Sequence, residues 1–197
     1  MRDLVVNEFL TLDGVMQAPG GQDEDRSGGF EHGGWQQPYF DDVFATTIDE
    51  GLAETGGFLL GRRTWEIFAA YWPTAPAEVQ AVAEPLNTLP KYVATRTLRE
   101  PLSWNNSSVI AGDVAEGVRQ LKAEGGKDLH VFGSGDLVQT LIRNDLVDEY
   151  RLMIHPVVLG TGARLFRDGT PRRPLTLADV KPSTTGVLIT TYRPAGK

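Results

Sequence analysis

Two carboxylates and three strand ends are the places in this chain where residue type and spacing can do chemistry. Asp13, in Thr11-Leu12-Asp13-Gly14, and Asp41, in Tyr39-Phe40-Asp41-Asp42, are the acid/base candidates. Phe40, Val43, Phe44, Ile48 and Leu52 recur at helical spacing, and at about 100° per residue their stripe centres near Phe44. Asp41 lies nearer that stripe than Asp42, Asp49 or Glu50, which predicts an inward-pointing carboxylate. Burial in an apolar cleft raises a carboxyl pKa, and a raised pKa suits proton relay near neutral pH. An acidic residue is equally favoured in a helix's first turn, and Asp13-Gly14 is equally a turn signal.

The three strand ends are candidate anion sites. Helix N-termini present unpaired N–H groups and a partial positive charge. Gly61-Arg62-Arg63-Thr64 is the first. Two arginines in a first helical turn face the positive end of the dipole, at a cost of roughly a few tenths of a kcal/mol each. A bound nucleotide phosphate removes that conflict, and so does pairing with Glu66 or another acid.

Gly133-Ser134-Gly135-Asp136-Leu137 is the second. Glycine lets the backbone approach a pyrophosphate, and Ser134 can cap the helix or donate to phosphate. The Rossmann fingerprint fails, because Val138 stands at the third glycine position. An inward Asp136 would repel phosphate, and a plain tight turn explains the spacing nearly as well. Thr95-Arg96-Thr97 is the third, at the carboxyl end of a strand, where open α/β sheets bind ligands. A hydroxyl followed by arginine suits a terminal phosphate such as the 2′-phosphate of NADPH. It is also an ordinary surface loop.

The elements that must position these residues alternate between strand and helix. Leu4–Leu10 reads as an opening strand. A glycine-rich loop from residue 13 to 38 follows, long enough to be a lid, and its Phe30, Trp35 and the adjacent Tyr39 predict that it packs on something. The helix over Phe40–Leu52 is ended by Gly56-Gly57. Phe58-Leu59-Leu60 is a short buried strand running into the first glycine turn. Pro73, Pro76, Pro85 and Pro90 mark loop with one short helix. Lys91–Thr95 and Ser108–Ile110 are strands. Asp113 caps the next helix with Glu116 as in a capping box, and Gly125-Gly126 ends it. Leu129–Phe132 leads to the second glycine turn and a helix bearing Leu137, Val138, Leu141 and Ile142 on one face. Val147–Pro156 is a long strand, and Leu175–Val180 with Val187–Tyr192 forms a hairpin. The pattern predicts one α/β domain over residues 1–197, with parallel crossovers in the middle and an antiparallel C-terminal edge.

Composition excludes several classes. At 197 residues and net charge −7 the chain has the core of a soluble domain and no basic footprint for nucleic acid. There are no cysteines, so disulfide and thiol chemistry are out. His32, His130 and His155 form no H-x-x-x-H pair, and no metal site is expected. Without a signal-like start or a membrane-length apolar run, the expected location is the cytoplasm, away from membranes. G-x-S-x-G, Walker A and H-E-x-x-H motifs do not occur.

Taken together the segments resemble the dihydrofolate-reductase-like superfamily, closest to the C-terminal reductase domain of RibD in riboflavin biosynthesis. The resemblance is densest from Val131-Phe132-Gly133-Ser134-Gly135 through Leu146-Val147-Asp148-Glu149-Tyr150 and His155-Pro156-Val157-Val158-Leu159-Gly160-Thr161-Gly162 to Leu165-Phe166. Leu59–Glu66, Lys91–Arg96 and Thr11–Gly14 are similar to further family segments, while residues 18–37 depart from them. The resemblance implies a three-layer α/β/α domain, standing alone without a deaminase. It implies NADPH bound by Gly61, Arg62, Arg63, Thr64, Thr95, Arg96, Gly133, Ser134 and Gly135. Hydride would pass to a pteridine- or pyrimidine-like ring, Asp13 and Asp41 being the catalytic candidates. Homodimers are common among such relatives, and the apolar stretch from Leu152 to Leu159 is the surface expected to support one. The alternative is a non-catalytic NADP(H)-binding protein of the same fold.

Overall fold

Leu4-Val5-Val6-Asn7-Glu8-Phe9-Leu10-Thr11 is buried at nearly every position, not at alternate ones, as a parallel strand covered on both faces must be. It forms β1 (Leu4–Thr11) in the computed structural model, which describes residues 1–196. β1 pairs in parallel with β5 (Asp128–Phe132) on one side and β6 (Glu149–His155) on the other. β2 (Thr55–Gly61) lies parallel to β5 and to β3 (Lys91–Ala94), which in turn pairs with β4 (Ser107–Val109). β7 (Leu175–Pro182) and β8 (Leu188–Pro194) complete the order β4-β3-β2-β5-β1-β6-β8-β7, joined to β6 in antiparallel fashion. The expected mostly parallel sheet with an antiparallel C-terminal edge is therefore present.

Helices cover both faces of the sheet. On one face α1 (Asp42–Glu54), α2 (Arg62–Tyr71) and α3 (Gln80–Thr88) bring Leu52, Trp65 and Leu86 onto Phe58, Leu60 and Val93. On the other, α4 (Val114–Ala123) and α5 (Gly135–Arg143) bring Val118, Val138 and Leu141 onto Leu4, Val6, Leu129 and Val131. From β1 and β2 the chain moves toward β4, and from β5 it moves back toward β6. Neighbouring strands β2, β5 and β1 thus send their helices to opposite faces, and such a reversal opens a crevice at the strands' carboxyl ends.

Two sequence expectations need correcting here. Phe40 lies outside α1 and is 61% exposed, because Asp41 caps the helix and Asp42 begins it. Gly56-Gly57 does not end that helix. The chain passes from Glu54 straight into β2, and both glycines lie inside the strand. A Cβ at Gly56 would stand 2.4 Å from the Lys127 carbonyl oxygen, so the glycine is there for close backbone approach.

The loop from residue 13 to 38 packs as its aromatics predicted. It holds two short 3-10 turns, Ser27–Gly29 and Gln37–Tyr39. Phe30 and Trp35 are buried with Val15 and Ala18 against Phe9, Val157 and Leu159. Gln17 organises it. Its side-chain amide donates to the Asp25 and Ser27 carbonyls, its Oε1 accepts from the Ala163 N–H, and its own carbonyl accepts from Trp35 Nε1 at 2.8 Å. Among the described residues no helix is long and apolar enough to cross a membrane.

Candidate functional site

The two glycine turns stand side by side at the crevice. The Gly61 N–H donates to Ser134 Oγ at 2.9 Å, and the Ser134 N–H donates to Thr64 Oγ1 at 3.0 Å. Gly133 and Ser134 both take left-handed backbone, at φ +55° and +60°. Ser134 does not cap α5, contrary to one expectation. Its hydroxyl donates back to the Phe132 carbonyl and locks the turn to β2. Asp136 does not point inward either, since its side chain is 93% exposed and paired with Arg167 at 2.6 Å. That arginine was not singled out from sequence. It crosses the start of α5 so closely that a Cβ at Gly135 would stand 2.9 Å from its Nη2.

Arg62 joins the first strand end to the third. Its Nε pairs with Glu66 at 2.7 Å, and its Nη1 donates to Thr97 Oγ1 at 2.7 Å. Thr95 closes the third as a hydroxyl turn, accepting from the Thr97 and Leu98 N–H groups. Arg63 reaches instead to the long loop, pairing with Asp25 at 3.2 Å and donating to Ser27 Oγ at 2.8 Å. Both arginines thus relieve the dipole conflict through acids of this chain. Gly61 ends β2 with Arg62 and Thr64 after it, Thr95 and Arg96 follow β3, and Gly133, Ser134 and Gly135 follow β5, so all of them lie at the carboxyl ends of three neighbouring parallel strands.

The two carboxylates are elsewhere and already committed. Asp13 accepts from Thr11 Oγ1 at 2.6 Å, from the Leu159 and Gly160 N–H groups, and from Arg164. The Thr11 hydroxyl and these amides hold its pKa at about 2. Asp41 accepts from the Phe44 N–H as the α1 cap, and from the Thr184 hydroxyl and N–H in the β7–β8 turn. The Thr184 hydroxyl and the cap amide hold its pKa at about 2 as well. The inward carboxylate of raised pKa expected at Asp41 is therefore not there, because the helix starts at Asp42, two residues later than expected, and turns Asp41 into its cap.

Two buried groups that the sequence reading passed over take that place. Glu8 lies on the α5 side of β1, 4% exposed, with its Oε1 unpartnered. Burial pushes its pKa well up, while the Gly133 N–H acts the other way. A lone charged residue inside an apolar strand was the available signal. His155, at the carboxyl end of β6, is fully buried among four rings. The centroids of Trp35, Tyr39, Phe44 and Phe9 lie 5.0, 5.7, 5.9 and 6.3 Å from its own. Burial pushes its pKa down.

A model of the RibD C-terminal domain family matches residues 2–189. The uncharacterized protein YyaP of Bacillus subtilis (strain 168) is 30% identical over 198 residues, covering 97% of this chain and 94% of that one. Two solved structures are similar in fold. One, from Shewanella sp. PV-4 and named for riboflavin biosynthesis, has a TM-score of 0.68 and 19% identity and covers 98% of both chains. The other is a pyrimidine reductase-like protein from Corynebacterium diphtheriae with a TM-score of 0.64 and 14% identity, covering 100% of this chain and 93% of that one.

Proposed function

Because the chain belongs to the RibD C-terminal domain family, we propose that it is an NADPH-dependent reductase acting on a pteridine- or pyrimidine-like ring. The observation that carries this reading is the pair of interlocked glycine turns at the crevice, Gly61–Thr64 against Gly133–Gly135, tied through Ser134. Two helix N-termini converge there on glycine backbone, the kind of end that attracts a pyrophosphate. Arg62 and Arg96 flank the Thr95 turn, where a 2′-phosphate fits. For Arg63 to join them it exchanges Asp25 for phosphate, which releases one tie of the long loop.

NADPH, when bound, supplies the hydride. The chain's own residues bind, orient and hold the proton. Glu8 keeps its proton at pH values where Asp13 and Asp41, both held at about 2, have lost theirs. Asp13 and Asp41 serve the site by position, clasping the Leu159–Gly160 turn and the start of α1. The proposal extends to a cytoplasmic homodimer. Of the stretch expected to support one, Leu152 and Met153 are buried inside the sheet, while Val158 in the loop that follows is exposed. Edge strand β7 and its neighbour add exposed Leu177, Val180 and Leu188.

Titration of NADPH and NADH, followed by nicotinamide fluorescence and melting temperature, tests the reading. NADPH should bind more tightly than NADH, and Arg96→Ala should remove the preference. Binding of neither nucleotide would sink the reductase. NADPH binding without turnover on any pterin, pyrimidine or flavin substrate would leave the non-catalytic alternative.

A further inference from the structure

His155 carries information about the ligand that the glycine turns do not. Its Nδ1 lies 2.9 Å from the Met153 carbonyl and 3.2 Å from the Leu10 carbonyl. Both are acceptors, so Nδ1 carries the proton. In the neutral ring Nε2 is then a bare lone pair. That atom is buried and has no partner. The nearest indole does not satisfy it, because Trp35 gives its N–H to the Gln17 carbonyl. A buried acceptor without a donor is a standing cost, and it is met when a donor arrives.

The surroundings say what kind of donor. Phe9 and Phe44 come from β1 and α1, while Trp35 and Tyr39 belong to the loop and the turn that follows it, which close over the ring. Rings of this kind accept a flat apolar face and give no counter-charge. Asp41, at the start of α1, spends its oxygens on Phe44, Thr184 and Thr185.

Resting on the reductase reading, we propose that the loop opens to admit a neutral planar heterocycle among these rings, and that His155 Nε2 accepts a hydrogen bond from a ring N–H of that ligand. The site selects lactam or imide N–H edges, and it reads them with a neutral acceptor.

Lumazine, which carries ring N–H groups, and 1,3-dimethyllumazine, which has them methylated, are the probes. Each is titrated into the full chain by fluorescence, and the 15N resonance of His155 Nε2 is followed by NMR. Lumazine should bind about tenfold more tightly than its dimethyl analogue, the worth of one such hydrogen bond. Only lumazine should move the Nε2 resonance, which separates a lost donor from methyl bulk. His155→Asn keeps a donor toward the Met153 and Leu10 carbonyls and lacks Nε2. It should bind both probes equally weakly while NADPH affinity stays unchanged.

Equal affinities in the wild-type protein, no lumazine binding, or an unmoved Nε2 would each overturn the proposal, and none of these needs the variant to fold. NADPH binding with a silent His155 would keep the reductase and discard this site. Lumazine binding through His155 without NADPH binding would do the reverse.

Discussion

Burial drives His130, His155 and Glu8 toward their neutral forms, the histidines from the basic side and the glutamate from the acidic. His130 is fully buried and its pKa falls to about 4, through desolvation first and the Arg151 charge second. His155 moves the same way. Both are neutral in the folded protein, while the unfolded chain takes up protons below about 6.5. The unfolded state then binds more protons, so stability should fall as pH drops from about 6.5 toward 4. Glu8 has the opposite sign. The folded protein keeps a proton that the unfolded chain releases above about 4.5, so its contribution declines as pH rises. Glu8→Gln should remove that alkaline decline in urea denaturation and leave the histidine-driven acid limb in place. A variant profile that superimposes on the wild type would show that Glu8 folds as the anion. Sequence located Asp13 and Asp41 without disclosing their roles. The partner that decides Asp41, Thr184, lies 143 positions away, and no local pattern encodes such a contact.

Two glycines separate architecture from ligand binding at the scale of the element. Gly133 holds φ +55° beside Thr64, in the left-handed region where a side chain costs about 1–2 kcal/mol. Gly133→Ala should lower stability by that amount and, on the proposed function, also weaken NADPH binding, since the displaced turn is the one assigned there to the pyrophosphate. Gly56 has ordinary backbone but meets the Lys127 carbonyl. Gly56→Ala should cost about 1–3 kcal/mol by overpacking and leave NADPH affinity untouched. Calorimetry with nucleotide titration on both variants checks the contrast. Equal losses of affinity would mean that the turn has no special part. The elements themselves were largely legible. Asp113 caps α4 through the Glu116 N–H at 2.9 Å, as its spacing indicated. Of the two roles open to Ser134 the cap is not taken, because a serine between two glycines signals a cap and only the adjacency of β2 reveals a cross-strand tie.

For the whole molecule, the sheet order decides which surfaces are available. β6 lies between β1 and β8, so its apolar residues are core. β7 is one of the two edges, with β4 at the other, and an exposed edge strand presents unpaired backbone and invites pairing with a second copy. Val180→Lys should shift the protein to monomer in sedimentation if the proposed dimer forms there. A dimer that survives the substitution would move the interface elsewhere.

What the sequence by itself determined is local: the periodicities, the glycine turns, most helix boundaries, the antiparallel tail and the segments that resemble a family. These follow from backbone preference and from patterns repeating within a few residues. Only the tertiary structure decided that the Gly61 and Gly133 turns interlock, that Arg63 pairs with Asp25, that Thr184 holds the Asp41 carboxylate, and that Glu8 and His155 are buried with atoms unpartnered. Each of those depends on which strands become neighbours. That ordering is set by packing both faces of the sheet at once, a condition spread over the whole chain and written at no single position.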